Sequence, residues 1–115
     1  MTRIYKVCGA DEWAAAEGWG NYEGSADDRR DGFIHFSTAT QLAETLAKHF
    51  AGRDGLVLIA VEADGHGEAL KWEASRGDDL FPHLYAALPV SAALWTKPLS
   101  LDANGRHVIP AEAQA

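Results

Sequence analysis

Leu56-Val57-Leu58-Ile59-Ala60-Val61 is an unbroken apolar run, and no other feature of the chain narrows its fold as much. The run is too short for a typical helix and far below the ~20 residues of a membrane span. It has no polar alternation and therefore no face to turn toward water. A central strand covered on both sides is the expected structure. With 115 residues, 47% of them hydrophobic and 23% charged, the chain is long enough for one core and is expected to form one domain over residues 1–115.

The flanking patterns supply partners for that strand. Ile4, Tyr5 and Val7 predict a first strand ending at Gly9. Asp11 is positioned to cap a short helix through Trp13 to Glu17, with Gly18 as its stop. Gly18 to Asp31 is rich in Gly, Asp, Asn and Ser and reads as a long exposed loop, of the kind that often carries function. Phe33-Ile34-His35-Phe36 reads as a strand entered from Gly32. Thr38 and Gln41 have the spacing of a capping box. Beyond them Leu42, Leu46 and Phe50, with Ala43 and Ala47, form an apolar helical stripe that Gly52 ends, and Glu44 and Lys48 form a favourable pair on the polar side.

After a turn at 64–67, Ala69 to Glu73 predicts a strand, with Trp72 toward the core and Lys71 and Glu73 on the opposite side. Ser75 to Asp79 reads as a polar loop, and Pro82 forces Phe81 into an extended conformation. Val90 to Leu101 predicts one or two strands broken by Pro98. Asn104-Gly105 predicts a hairpin joining Leu99–Leu101 to His107–Ile109. A frayed tail is expected over residues 110–115. Strands outnumber helices without alternating with them, so the fold class is α+β: a single compact domain, a largely antiparallel sheet and two or three helices.

Charge and cysteine content bound the function. Ten basic against 17 acidic residues leave a net charge of −7, which argues against duplex nucleic acid and anionic membranes as partners. Cys8 is the sole cysteine, so no internal disulfide forms, consistent with a reducing compartment. Arg3 and Lys6 interrupt any apolar leader. A cytoplasmic protein is expected.

Two segments concentrate the chemistry. Along Gly32-Phe33-Ile34-His35-Phe36-Ser37-Thr38, alternation puts Phe33, His35 and Ser37 on one side and Ile34 and Phe36 on the other. His35 next to a helix start, with its free N–H groups, suits a ribose hydroxyl or a phosphate. Thr38 has a ready structural role as a cap, and the alternative for His35 is a bond to a neighbouring carbonyl alone. In Phe81-Pro82-His83-Leu84-Tyr85, His83 and Tyr85 share a face and can hold a flat heterocycle; a Pro-rigid buried corner is the plainer reading. Glu73 has the chemistry of a base or a cation stabiliser, and Arg29 that of a phosphate contact. Asp64, His66 and Glu68 read as an exposed turn in preference to a metal site, and Cys8 as a core residue.

These blocks, in order from Ile4-Tyr5-Lys6-Val7 through Gly32–Thr38, Trp72-Glu73, Phe81–Tyr85 and Leu88-Pro89, resemble the bacterial family designated domain of unknown function 952. The resemblance implies a fold similar to ADP-ribosyltransferases, with a split β-sheet and a nucleotide cleft between its halves. It makes His35 the match for a ribose-binding histidine and Tyr85 for an aromatic clamp on nicotinamide. The late catalytic glutamate of that group has no counterpart, since Asp102 and Glu112 are the acidic residues after Tyr85; Glu73 is the available substitute.

The leading expectation is a cleft in which His35, Ser37, Thr38, Glu73, His83, Tyr85 and Arg29 bind NAD or an ADP-ribose-like nucleotide. His35 and Glu73 would be catalytic if the nicotinamide–ribose bond is cleaved, and no metal is called for. The alternative is a non-catalytic ligand- or protein-binding module in which the same residues form a structural network. A third reading, hydrolysis of a small polar substrate by a histidine–carboxylate pair, requires His35 or His83 within hydrogen-bond reach of Glu73.

Overall fold

At the centre of the computed structural model, which describes residues 2–114, lies β4 (Leu56–Glu62), the unbroken apolar run. Strands β1 (Arg3–Gly9) and β8 (Ala93–Leu99) pair antiparallel with it, one on each side. Both faces of β4 are covered, as its composition requires. Leu58 and Ala60 pack with Leu42 and Leu46 of helix α3 (Leu42–His49). Ile59 and Val61 pack on the other side with Trp13 and Ala16 of helix α1 (Ala10–Trp19). Pro98 does not break β8. The strand lies at the sheet edge, where a missing N–H costs no ladder bond.

A second three-stranded group has the order β3 (Ile34–His35), β6 (Asp79–Leu84), β5 (Leu70–Arg76). A short ladder joins β2 (Asn21–Tyr22) to β7 (Leu88–Pro89). Among the described residues the result is one α+β domain with antiparallel sheets and three α-helices.

The segment after β3 passes from one group of strands to the other. Phe36 N–H donates to the Pro82 carbonyl at 3.0 Å, and Ser37 then exchanges backbone bonds with Tyr5 at 2.8 and 2.9 Å. Continued in the same antiparallel register, that bridge would set His35 opposite Val7. His35 instead pairs with His83 of β6. The two strands part there, and helix α2 (Ala26–Asp31) lies beside the opening.

Several local expectations are corrected. The segment from Gly18 to Asp31 is not a plain loop: it contains β2 and α2, and Asp28 within it is buried. The first helix runs past Gly18 to a left-handed Gly20 at φ 95°, and its N-cap is Gly9, with the Glu12 carboxylate accepting the Gly9 N–H. At the second, the Gln41 side chain accepts the Thr38 N–H at 3.0 Å, as the capping spacing required, but a 3-10 turn over Ala39–Gln41 precedes α3. Its stripe is narrower than expected, because Ala43 and Ala47 are exposed. Trp72 faces outward with 40% of its surface exposed. The expected C-terminal hairpin reduces to one bridge, Leu101 with His107. The Asp102 side chain takes the N–H groups of Asn104 and Arg106 and closes the loop in place of a ladder. Beyond Pro110 the described residues do not fray: Ala111–Ala113 make a 3-10 turn and Ala113 is fully buried. Residue 115 lies outside the described residues.

Candidate functional site

Where β1 and β3 part, a cleft of about 170 Å³ opens. Its walls come from Lys6 and Val7 of β1, Asp27, Asp28, Arg30 and Asp31 of α2, and Thr45 and His49 of α3; His35, Ser37, Phe81 and His83 line it from the strands. The two histidines of the sequence-derived site therefore meet in one hollow, their ring centroids 5.5 Å apart.

Alternation along β5 and β6 builds the first half of the site. Glu73 lies on the same side as His83, and Tyr85 follows two residues later. Glu73 Oε1 is 2.8 Å from His83 Nδ1 and accepts the Tyr85 hydroxyl at 2.7 Å. The Tyr85 hydroxyl, and then His83, hold the Glu73 carboxyl below its ordinary range. An ionised carboxylate accepts only, so it keeps the ring proton on Nδ1. Nε2 of the neutral ring is then an acceptor. His83 is 4% exposed, and its Nε2 is buried without a hydrogen-bond partner. Phe33 stacks on the same ring with centroids 4.0 Å apart and planes 23° apart, which fixes its orientation.

The second half is a charge network centred on Asp28. Oδ2 of Asp28 accepts from Lys6 Nζ at 2.6 Å and from Ser25 N–H at 2.9 Å. Oδ1 accepts His35 N–H at 3.1 Å and faces His35 Nδ1 at 2.6 Å. Burial pushes the Asp28 carboxyl up, but the His35 hydrogen bond and the Lys6 charge outweigh it and hold the group well below the aspartate range. The remaining nitrogen of His35, Nε2, faces Asp31 Oδ2 at 3.0 Å. Asp31 is itself held low by Arg30 first and by His35 among the lesser causes.

His35, Ser37 and His83 line the cleft, and Glu73 reaches it through His83. Ser37 Oγ is bonded to Thr45 Oγ1 at 2.9 Å. Thr38 does not line it, and its backbone N–H donates to the Gln41 side chain. Tyr85 and Arg29 line a different hollow with Phe33 and Asp28. Cys8 is buried in the core, where burial above all pushes its thiol up to about 12, out of the range of a nucleophile at neutral pH. His66 is turned to the Glu62 carbonyl at 2.9 Å.

Sequence reasoning missed Lys6 and Asp28. Ser25-Ala26-Asp27-Asp28 has the spacing of a capping box, and that signal was present: Ser25 Oγ accepts Asp28 N–H at 3.2 Å while Asp28 accepts Ser25 N–H. Nothing local marks Lys6 as buried, because its partner is 22 residues away.

Comparison with known proteins agrees with this architecture. The family model described as "Protein of unknown function (DUF952)" matches residues 7–96. The X-ray structure of protein CC0527 from Caulobacter crescentus superposes with a TM-score of 0.90 at 53% identity, covering 93% of this chain and 94% of that one. The solution NMR structure of CC0527 gives a TM-score of 0.83 at 55% identity, over 92% and 91% of the two chains. No curated protein matches.

Proposed function

The chain belongs to the DUF952 family of proteins of unknown function, and from that premise we propose that its cleft binds a small polar ligand, neutral or cationic, through His83 Nε2, with His83 as proton acceptor and Glu73 as the residue that orients it. One observation carries the reading: a ring 4% exposed, fixed by Glu73 and Phe33, lines the cleft while its buried Nε2 has no partner among the described residues. A buried acceptor without a partner costs roughly 1–3 kcal/mol. An O–H or N–H donor on a ligand, or a water to be activated, removes that cost. The histidine–carboxylate pair needed for hydrolysis of a small substrate is therefore present, at 2.8 Å.

Charge and size support the ligand class. Lys6 is spent on Asp28, and Arg30 on Asp27 and Asp31, so the cleft carries three carboxylates and no unpaired cation among its described Lys and Arg residues. Its volume is below the ~300–1,000 Å³ of drug-sized sites, enough for one ring or a pentose. The NAD or ADP-ribose reading has less behind it. Both ring nitrogens of His35 face carboxylates, leaving neither for a ribose hydroxyl, and Tyr85 stands in the other hollow with its hydroxyl committed to Glu73. A purely structural network explains the Glu73 bonds but leaves His83 Nε2 unaccounted for.

The test is NMR titration with ribose, nicotinamide, ribose 5-phosphate, ADP-ribose and NAD, each at millimolar concentration. The expected result is shifts at His83, Ser37 and Val7 with a neutral compound, smaller or no shifts with its phosphorylated counterpart, and loss of binding in His83→Ala. No perturbation by any compound, or binding untouched by His83→Ala, would overturn the proposal.

A further inference from the structure

We propose that α2 is a charge-latched flap on the cleft, held shut when both nitrogens of His35 carry a proton and released at its Asp31 end when one proton leaves. This adds regulation to the binding cleft and takes its purpose from that reading, but its test needs no ligand.

The side chains that hold the helix to the sheets are charged, and the backbone adds the Phe33 N–H on the Asp28 carbonyl at 3.2 Å and the His35 N–H on Asp28 Oδ1 at 3.1 Å, both at its middle. Its sequence is Ala-Asp-Asp-Arg-Arg-Asp, and the only residue it buries is Asp28. Short helices in proteins are ordinarily secured by an apolar face, which α2 lacks. Its two Arg30 ion pairs are internal, to Asp27 and Asp31. The side-chain ties to the sheets are Asp28 with Lys6, and His35 with Asp28 and Asp31. At either end stands a glycine with positive φ, Gly24 at 106° and Gly32 at 86°. Such positions absorb backbone rotation that other residues resist.

The surroundings of His35 decide what a proton does. From α2 it faces Asp28 and Asp31, the latter also bonded to Arg30; from β1, Lys6 Nζ donates to its carbonyl at 3.1 Å. From β6 the His83 ring is 5.5 Å away, Glu73 of β5 stands behind that ring, and the Phe33 ring is 4.6 Å from His35. A doubly protonated imidazole donates to both carboxylates. The neutral ring has one N–H. The shorter contact to the buried Asp28, at 2.6 Å, keeps it, and the Nε2 lone pair is left against the Asp31 carboxylate at 3.0 Å. That contact becomes repulsive. Lys6 still pins Asp28, so the helix pivots about its middle and carries Asp31 and Arg30, both cleft-lining residues, away from the mouth.

The experiment measures solvent access to the cleft floor. A neutral nitroxide radical is added to the protein, and paramagnetic broadening is read at the methyl groups of Val7, a cleft-lining residue that does not titrate, against the Ile59 methyls of the core. Over the pH range in which the His35 ring signals show it losing a proton, Val7 broadening is expected to rise several-fold and Ile59 broadening to stay constant. In Asp31→Ala, which removes an exposed carboxylate and leaves nothing to bond Nε2 in either state, Val7 broadening should be high at both ends of the range. His35→Gln should do the same, provided it folds. Equal Val7 broadening across the range in the unmodified protein, or an unchanged pH response in Asp31→Ala, would overturn the latch. Ligand binding by a static cleft would refute the latch and leave the binding reading intact; a mobile flap over a cleft that binds none of the compounds would do the reverse.

Discussion

Asp28 holds His35 twice through one oxygen, Oδ1, which accepts the backbone N–H at 3.1 Å and faces the ring Nδ1 at 2.6 Å. With Oδ2 on Lys6 and Ser25, one buried carboxylate ties α2 to β1 and β3. Removing one partner of a buried pair leaves an uncompensated charge, at a cost of roughly 3–5 kcal/mol. Asp28→Asn leaves Lys6 in that position, and urea unfolding should show a loss of this size. Lys6→Met combined with Asp28→Asn should recover the part owed to the unpaired ammonium, since the Asn side-chain oxygen can still accept from His35. A loss under about 1 kcal/mol in Asp28→Asn would mean that Lys6 reaches water when unpaired.

The same carboxyl makes stability fall in acid. Its folded-state affinity for protons is depressed, so the unfolded chain takes up a proton first. The stabilisation is complete above the ordinary aspartate range, near pH 4, and fades as pH drops toward the lower folded-state value. Urea midpoints of the unmodified protein and Asp28→Asn should therefore differ most near pH 7 and converge below about pH 4. A constant difference through that range would show that Asp28 is not ionised in the fold.

What was legible in the sequence was whatever depends on local period. The apolar run at Leu56–Val61 gave its strand and burial, and the alternation at Phe33–Ser37 gave faces and burial, with only Ile34–His35 paired as a strand: Ile34 and Phe36 are in the core and Phe33 meets His35. The alternation at His83 and Tyr85 put them on one face, and both bond Glu73. Illegible was whatever depends on charge pairing across the fold. Asp28 looked like one acidic residue among several in a polar stretch, and Lys6 like an interruption of β1, because the two that neutralise each other lie 22 residues apart. Trp72 was misjudged for a related reason: the period shows that two faces exist, not which of them the fold covers, and here the polar face of β5 turns to the site.

Glu73 sets the His83 tautomer, and this can be measured without a ligand. In Glu73→Gln the side chain bonds both partners more weakly and no longer carries the charge that favours a proton on Nδ1. Long-range nitrogen–proton spectra of the His83 ring should show the Nδ1–H form dominant in the unmodified protein and a mixture with the Nε2–H form in the variant. Tyr85→Phe should keep the tautomer, since the His83 bond to Glu73 at 2.8 Å does not depend on the hydroxyl. An Nε2–H ring in the unmodified protein would remove the acceptor on which the binding proposal rests.

Gly24 is where the backbone makes room for Asp28. Its φ of +106° disfavours any side chain, and a Cβ there would stand 2.7 Å from Asp28 Cβ and 3.2 Å from Oδ2. Gly65 has a comparable φ of +95° with nothing within 4 Å of the added carbon. The two alanine variants therefore separate conformation from collision. Gly65→Ala carries only the left-handed penalty, about 1–2 kcal/mol. Gly24→Ala carries that penalty and also displaces the carboxylate from Lys6 and His35, so thermal melting should show a clearly larger loss, approaching that of Asp28→Asn. Equal losses in the two variants would show that α2 moves aside at little cost, and that the Asp28 contacts are not what secures it.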